Sequence, residues 1–179
     1  MALRNTTHEW GSLARLLHWL IFLLVIVQFV TAWSGDDLPR ESAAKLALEA
    51  RHVSFGFTVL LLTIVRIVWR LGNPTPTPPA GTRIETLVAH ATLGFLYLLL
   101  LAIPLSGWVM AGGHGDAVAW FGTALPALVQ KGSALGRPAH EAHELLGWVL
   151  LALVALHVLA ALKHHFVARN DVLRRMLPW

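Results

Sequence analysis

Long apolar stretches alternate with shorter polar stretches along this chain. Crossing a bilayer as a helix requires about 20 largely apolar residues, and four segments meet that requirement: residues 16–33, 52–71, 87–111 and 143–166. None of them alternates apolar and polar positions, as the strands of a membrane barrel do. The pattern therefore predicts an all-α integral membrane protein, built as an up-and-down bundle of four transmembrane helices.

The connections between the predicted spans differ in character. Residues 72–86 contain NPTPTPP, which favours a stiff, extended link. Residues 34–51 contain PRESAAKLALEAR, in which a short surface helix is expected after Pro39. Residues 112–142 form a long loop whose AVAWFGTALPALV segment is apolar enough to lie on the membrane or to cap the bundle. Since no repeat divides the chain, residues 1–179 are expected to form a single transmembrane domain.

The composition supports this prediction. Hydrophobic residues make up 56% of the 179 residues and charged residues only 13%, against about 25% charged residues in soluble domains. A disordered chain is excluded and a soluble enzyme domain is disfavoured. Cysteine is absent, which excludes disulfides, thiolate metal sites, iron–sulfur clusters and C-x-x-C-H haem attachment. The first span ends in a poor cleavage pattern, TAW, and is expected to be retained.

Charged residues are divided unequally between the two ends of the predicted spans. One side carries nine Lys and Arg residues and three acidic residues. The other side carries five Lys and Arg residues and seven acidic residues. Because basic residues concentrate on the cytoplasmic side of a membrane, both termini are predicted to be cytoplasmic. The net charge of +4 forms no basic stripe that would indicate nucleic acid. Indole rings favour the headgroup level, where five residues are expected: Trp19, Trp33, Trp69, Trp108 and Trp148.

Four histidines lie in or at the edge of the spans, where ionisable side chains are costly and usually functional. His143 and His157 are fourteen residues apart in the fourth span, which places them near one face of a helix and about 21 Å apart. His52 is the first residue of the second span and is expected at the same depth as His143, near the outer surface. His18 lies one turn into the first span, at the inner depth of His157. Depth alone therefore pairs His52 with His143 and His18 with His157.

Two histidine pairs at two depths suit two b-type haems, each with its iron held by two imidazoles, an arrangement that serves electron transfer. Zinc is the main competitor, but it prefers about four ligands in a tetrahedron, and no Cys or buried carboxylate is available. Small residues leave room for a flat porphyrin, and four of them stand one turn from these histidines: Ala14, Gly56, Gly147 and Ala161.

Further ionisable residues lie towards the inner end of the spans. His164 follows the inner histidine of the fourth span by seven residues and could donate to a quinone carbonyl or a haem propionate, although snorkelling explains it as well. His90 is either a rival inner ligand or, as favoured here, a quinone contact or neighbour of the ligands, and Arg15 and His165 are further candidates near a quinone. Arg66 needs an anionic partner, which a haem propionate would provide, while snorkelling to the headgroups is the alternative.

These residues lie in segments that resemble the bacterial cytochrome b561 family of small four-helix di-haem membrane cytochromes. The resemblance runs through nearly the whole chain: RLLHWLIFLLV around His18, RHVSFG around His52, AHATLGFLYLLLLAIPLSGWVM in the third span and HELLGWVLLALVALHVLAALKHHF in the fourth. The segments WFGTALP and RNDVLRRMLP also resemble family patterns. The resemblance implies that the axial haem ligands are His18, His52, His143 and His157.

The resemblance also implies a location in a bacterial inner membrane and a function, which is electron transfer between the outer face and membrane ubiquinone. For the bacterial branch it implies a superoxide:ubiquinone oxidoreductase, in which superoxide is oxidised to dioxygen while ubiquinone is reduced. Electrons are then expected to enter on the side of His52 and to leave to quinone near His164. Four basic residues on the outer side could attract a small anion, although solvated loop charge explains them as well: Lys45, Arg51, Lys131 and Arg137.

Two alternative functions remain open. Related cytochrome b subunits anchor respiratory dehydrogenases or hydrogenases, and such a subunit would co-purify with a large partner. The outer loop around Trp120 and Phe121 could dock that partner or serve as a lid. A haem-free proton or ion transporter could use the histidines as relays, but such folds often show two related halves and broken helices, and the sequence indicates neither.

Overall fold

The computed structural model describes residues 2–78 and 82–177 of the chain. Four long helices account for most of them: α1 (Ser12–Asp36), α2 (Ala43–Leu71), α3 (Arg83–His114) and α4 (Gly136–Phe166). Each helix is long and apolar enough to cross a membrane. The four predicted spans are therefore confirmed, and each helix continues beyond its predicted span at one or both ends.

Side-chain contacts show that neighbouring helices run antiparallel. Phe57, in the middle of α2, packs edge-on against Trp108, late in α3, with ring centroids 5.3 Å apart. Arg66, further along α2, donates from Nε to the hydroxyl of Tyr97, which comes earlier in α3 than Trp108, at 3.0 Å. The same reversal relates α1 to α2 and α3 to α4. The helices therefore form an up-and-down bundle in chain order.

The bundle is not equally tight on all sides. The backbones of α3 and α4 meet where a Cβ on Gly113 would lie only 2.5 Å from the Cα of Gly136. In the part of the chain that the structure describes, α4 makes at most isolated close backbone contacts with α1 and α2. Side chains therefore bridge the space between α4 and the α1–α2 pair, and the four intramembrane histidines lie on the helices that border it.

A small apolar core lies halfway along the bundle. It consists of Ile21 and Val25 from α1, Leu99 from α3 and Leu150 from α4, each at most 7% exposed. Leu150 is midway between the two histidines of α4. The core therefore separates the outer histidines from the inner ones.

The connection between α1 and α2 and the connection between α3 and α4 are both shorter than the sequence predicts. The surface helix expected after Pro39 is the beginning of α2, because Ser42 caps that helix by accepting from the backbone N–H of Lys45 and no helix breaker separates residues 43–51 from the span. The fourth helix begins at Gly136, seven residues before the predicted start, where the glycine contact with α3 allows the two backbones to approach.

The inner link between α2 and α3 is tied to the N-terminal segment. Asn5 donates from its side-chain amide to the carbonyl of Pro74 at 3.0 Å, and the backbone N–H of Thr77 donates to the carbonyl of Thr7 at 2.9 Å. The link carries no helix or strand from residue 74 to residue 78, as the proline-rich pattern indicates. Residues 79–81 of this predicted stiff stretch lie outside the described residues.

The second outer connection contains a hairpin that the sequence analysis does not predict. Strand β1 (Ala119–Trp120) pairs antiparallel with β2 (Thr123–Ala124). Phe121 and Gly122 both have positive φ, 46° and 86°, as the two central residues of a type I′ turn require. The indole Nε1 of Trp120 donates to Oγ1 of Thr58 at 3.1 Å. The apolar segment is expected from the sequence either to lie on the membrane or to cap the bundle. The contact with Thr58 shows that it packs against the bundle.

The chain after α4 folds back onto the start of α1. A 3₁₀ turn covers Arg174–Met176. Buried Arg15 donates from Nη1 to the carbonyl of Leu177 at 3.0 Å, and the indole of Trp19 donates to the carbonyl of Met176 at 2.8 Å. The described beginning and end of the chain therefore lie at the same end of the bundle, called the inner end here.

Candidate functional site

The structure brings the four intramembrane histidines together as two pairs. The ring centroids of His52 and His143 are 6.1 Å apart, with an angle of 72° between the ring planes. Those of His18 and His157 are 6.2 Å apart, also at 72°. These are the two pairs that depth in the membrane predicts. All four rings are half-buried.

The separation within each pair leaves room for one metal ion between the rings. A ring nitrogen binds a metal at about 2 Å, so two imidazoles on opposite sides of one ion have ring centres roughly 6 to 6.5 Å apart. The observed 6.1 and 6.2 Å agree with that value. Within residues 2–78 and 82–177, no group of three or more His, Cys, Asp or Glu could hold a metal ion. The donor set therefore fits a haem iron with two axial imidazoles better than a tetrahedral zinc ion.

The outer pair is oriented by hydrogen bonds to neighbouring helices. Nδ1 of His52 lies 3.2 Å from the carbonyl oxygen of Gln28 and 3.2 Å from Oγ1 of Thr31. Nδ1 of His143 lies 2.9 Å from the carbonyl oxygen of Ile103 and 3.3 Å from Oγ of Ser106. A carbonyl only accepts, so each Nδ1 carries the proton. This leaves each Nε2 with the lone pair that a metal requires.

Glycines make room around the outer pair in two different ways. A Cβ on Gly107 would lie 2.9 Å from Cε1 of His143, so only glycine lets α3 approach that ring. Gly147, one turn after His143, is half-buried, yet a Cβ there would meet nothing within 4 Å. Such open space beside the ring is what a flat porphyrin would fill. The residues present therefore fit a haem.

A cationic side chain lies beside the inner pair. Half-buried Arg66 donates to the hydroxyl of Tyr97, and its guanidinium carbon lies 5.9 Å from the centre of that ring. The guanidinium is close enough to His18 and His157 for its positive charge to interact electrostatically with both rings. Among the described residues, no acidic side chain pairs with Arg66. Arg66 is therefore in place to bind an anionic group at the inner pair, such as the haem propionate predicted from the sequence.

The candidates for a quinone contact are placed differently from one another. The side-chain amide of Asn170 donates to Nδ1 of His164 at 2.8 Å, so the proton of that imidazole is on Nε2. Arg15 is 9% exposed and lies three residues before His18 of the inner pair. His165 lines a cavity at the inner end. His90 is exposed on α3 and is not brought to the inner pair.

Most of the outer basic residues have protein partners. Nζ of Lys45 donates to the carbonyl of Gly35 at 3.1 Å. Lys131 packs its side chain against Gly115, and Arg137 pairs with a carboxylate one turn away at 3.0 Å. Arg51 is exposed and donates to none of the described side chains. It is therefore the best placed of the four to act on an approaching anion.

Several residues that shape the outer pair escape the sequence analysis. They act across helix boundaries, through the contacts of Thr31, Ser106 and Gly107 with a histidine on another helix. Nothing in the sequence of a single span indicates which polar or glycine position faces a neighbour. A glycine and a serine side by side in an apolar run are a weak signal of close helix contact.

Known proteins are similar to this chain along nearly its whole length. The family model for prokaryotic cytochrome b561 matches residues 9–179. Cytochrome b561 homolog 2 of Escherichia coli K12 is 31% identical over 179 residues, covering 99% of this chain and 95% of that protein. The probable superoxide oxidase CybB of Yersinia pestis is 33% identical, with 90% and 92% covered. Cytochrome b562 of Cereibacter sphaeroides is 30% identical, with 90% of each covered. The chain therefore belongs to the prokaryotic cytochrome b561 family, whose members are haem-containing membrane electron-transfer proteins.

Proposed function

We propose that this protein forms one di-haem unit that transfers electrons from the outer face of the membrane to ubiquinone. One haem b is assigned to His52 and His143 and the other to His18 and His157. The observation that carries the proposal is the separation of about 6 Å within both pairs. Haem b, when bound, supplies reversible one-electron chemistry at its iron. Two imidazoles per iron leave no position for dioxygen, which favours electron transfer over oxygen binding.

The proposed electron donor is superoxide. The Yersinia pestis relative named probable superoxide oxidase supports this choice. Two superoxide anions each lose one electron and become dioxygen, while one ubiquinone takes up both electrons and two protons and becomes ubiquinol. With His52 and His143 holding the outer haem, that group would supply one-electron transfer and would offer superoxide no place to bind. Arg51, exposed on the outer side, is assigned to attracting the anion.

His164 is assigned to the quinone. Its Nδ1 accepts from Asn170, so its Nε2–H is free to donate to a quinone carbonyl. An imidazole both accepts and donates a proton and is therefore able to pass on the protons that quinone reduction consumes. Arg15 and His165 lie nearby at the inner end of the bundle and are assigned supporting roles, whereas the exposure of His90 argues against a direct contact.

The experiment replaces His164 by Ala and, as a matched control, the exposed His90 by Ala. Purified protein is assayed for haem content by absorption and for ubiquinone reduction with superoxide as donor. We expect His164→Ala to keep both haems and to lose at least about 90% of quinone reduction, because the proton donor is gone. His90→Ala should resemble the unmodified protein. Full quinone reduction by His164→Ala would disprove the assignment.

An anchoring subunit of a larger respiratory dehydrogenase is the second candidate. One observation favours it, because Phe121 at the tip of the outer hairpin is 62% exposed, as a docking residue would be. Such a subunit would co-purify with a large partner and would lack superoxide oxidation by itself. Purification of a single chain that is active alone would eliminate this candidate.

A further inference from the structure

A cavity of about 240 Å³ opens at the inner end of the bundle, where the chain leaves α4. Its walls are His165 from the last turn of α4 and four residues of the segment that follows: Arg169, Asn170, Asp171 and Arg174. The backbone N–H of Asn170 donates to the carbonyl of His164 at 3.0 Å. Arg169 has a φ of 50°, a conformation that is unusual for a residue other than glycine. The segment therefore turns sharply back beneath the helix end and forms one side of a half-open cavity.

The cavity carries an excess of positive charge. Asp171 is its one acidic wall residue, and that carboxylate is paired with Nε of Arg175 at 2.7 Å. Across residues 2–78 and 82–177, no acidic side chain pairs with Arg169 or Arg174. Nδ1 of His165 is buried and has no hydrogen-bond partner among the described residues. Arg169, Arg174 and His165, with its orphaned ring nitrogen, thus line a space without a counter-charge of its own.

Apolar surface adjoins this charged cavity. Phe166 and Val167, directly after His165, are 69% and 74% exposed, and Leu159 and Leu162 further up α4 are 63% and 39% exposed. In a membrane, these side chains face acyl chains, whereas the arginines lie where the helix leaves the hydrocarbon. A ligand that fits both surfaces carries an anionic head and an apolar tail.

We infer that this cavity binds the phosphodiester headgroup of an anionic phospholipid. Guanidinium groups donate two parallel hydrogen bonds to phosphate oxygens, which is the strongest form of such recognition. Basic pockets at the ends of transmembrane helices are suited to anionic headgroups for this reason. A neutral quinone would leave both arginines without a counter-charge. The inference does not depend on the haem assignment, and its test separates lipid from quinone, because the cavity shares His165 with the residues assigned to the quinone.

The experiment measures lipid binding to the purified holoprotein in detergent by native mass spectrometry. The probes are phosphatidylglycerol and phosphatidylcholine with identical acyl chains. The double variant Arg169→Gln/Arg174→Gln is compared with Arg4→Gln/Arg83→Gln, which removes the same charge from exposed positions towards the same end of the bundle. We expect phosphatidylglycerol to bind the unmodified protein roughly tenfold more tightly than phosphatidylcholine. The cavity variant should lose that preference, and the control variant should keep it.

Haem absorption shows whether each variant is folded. The milder double variant Arg169→Lys/Arg174→Lys should keep most of the preference for phosphatidylglycerol, because the positive charge remains. Equal loss in the control variant would overturn the inference, since diffuse charge would then explain the binding. Displacement of the lipid by inorganic phosphate at the same concentration would identify free phosphate as the ligand instead. Displacement by a short-chain ubiquinone would assign the cavity to the quinone. Either displacement would overturn the assignment to phospholipid.

Discussion

Gly107 of α3 lies against the imidazole of His143 on α4, so closely that a Cβ at position 107 would be 2.9 Å from Cε1 and 3.0 Å from Nδ1 of that ring. One turn earlier on α3, the carbonyl of Ile103 accepts from the same Nδ1 at 2.9 Å. A single turn of α3 therefore fixes the outer histidine of α4 both by contact and by a hydrogen bond. The outer site depends on a helix that contributes no ligand to it.

Replacing Gly107 by Ala should displace the His143 ring and cost the protein about one of its two haems. The added methyl group has no space, and the ring or the helix must move. Haem per protein in the purified variant measures the effect. Gly94→Ala on the same helix is the control, because a Cβ there meets nothing within 4 Å. Two intact haems in Gly107→Ala would show that the contact is not needed.

Removing the hydroxyl groups beside the outer pair should raise one of the two haem midpoint potentials. Hydrogen bonds accepted from Nδ1–H increase the basicity of a ligating imidazole and stabilise the oxidised iron. Thr31→Val removes one of the two acceptors of His52, and Ser106→Ala removes one of the two acceptors of His143. A potentiometric titration followed at the haem bands measures the shift. Thr86→Val, at the opposite end of α3 from Ser106, is the control, and unchanged potentials in Thr31→Val and Ser106→Ala would contradict the prediction.

Arg66→Gln should lower the midpoint potential of the other haem. A fixed positive charge near a haem favours the reduced state, which carries one positive charge fewer. Tyr97→Phe should lower the same potential by a smaller amount, since it removes only the hydroxyl that holds the guanidinium. Arg83→Gln, at an exposed position, should change neither potential. If Arg66→Gln moved both potentials equally, or neither, the placement of Arg66 at the inner haem would be wrong.

Arg51→Gln should slow superoxide oxidation by about twofold to threefold at low ionic strength and reduce its dependence on salt. Arg51 is exposed on the outer side, whereas Arg137 already pairs with Glu141. Arg137→Gln should therefore have a smaller effect. Steady-state rates at several salt concentrations, with haem content held equal, test the difference. Unchanged rates in Arg51→Gln would eliminate electrostatic attraction of the donor at this residue.

The histidine pairs were predictable from the sequence because depth in a membrane is set by residue number. A helix rises by a fixed distance per residue, so His143 and His157 define two levels, and His52 and His18 match them. The supporting contacts were not predictable in the same way. The rotation of α3 against α4 brings both Ser106 and Gly107 to His143, and no periodicity within α3 contains that information.

The loops show a second limit to what could be predicted from the sequence. The pattern of residues 34–51 does not tell a separate surface helix from the beginning of α2, because both are amphipathic helices with the same cap at Ser42. The hairpin consists of two-residue strands, which are too short to show an alternation of apolar and polar residues in the sequence. It depends on positive φ at Phe121, which the side chain of that residue disfavours, and on the bond between Trp120 and Thr58 of a distant helix.

The central claim is that each chain binds two haems through the two histidine pairs. A reduced-minus-oxidised absorption spectrum of the purified protein, with haem and protein quantified on the same sample, tests it most directly. The account predicts sharp low-spin b-type bands at about two haems per chain, falling to about one in either His52→Ala or His157→Ala. No haem in the unmodified protein, or a single haem that persists in both variants, would contradict it.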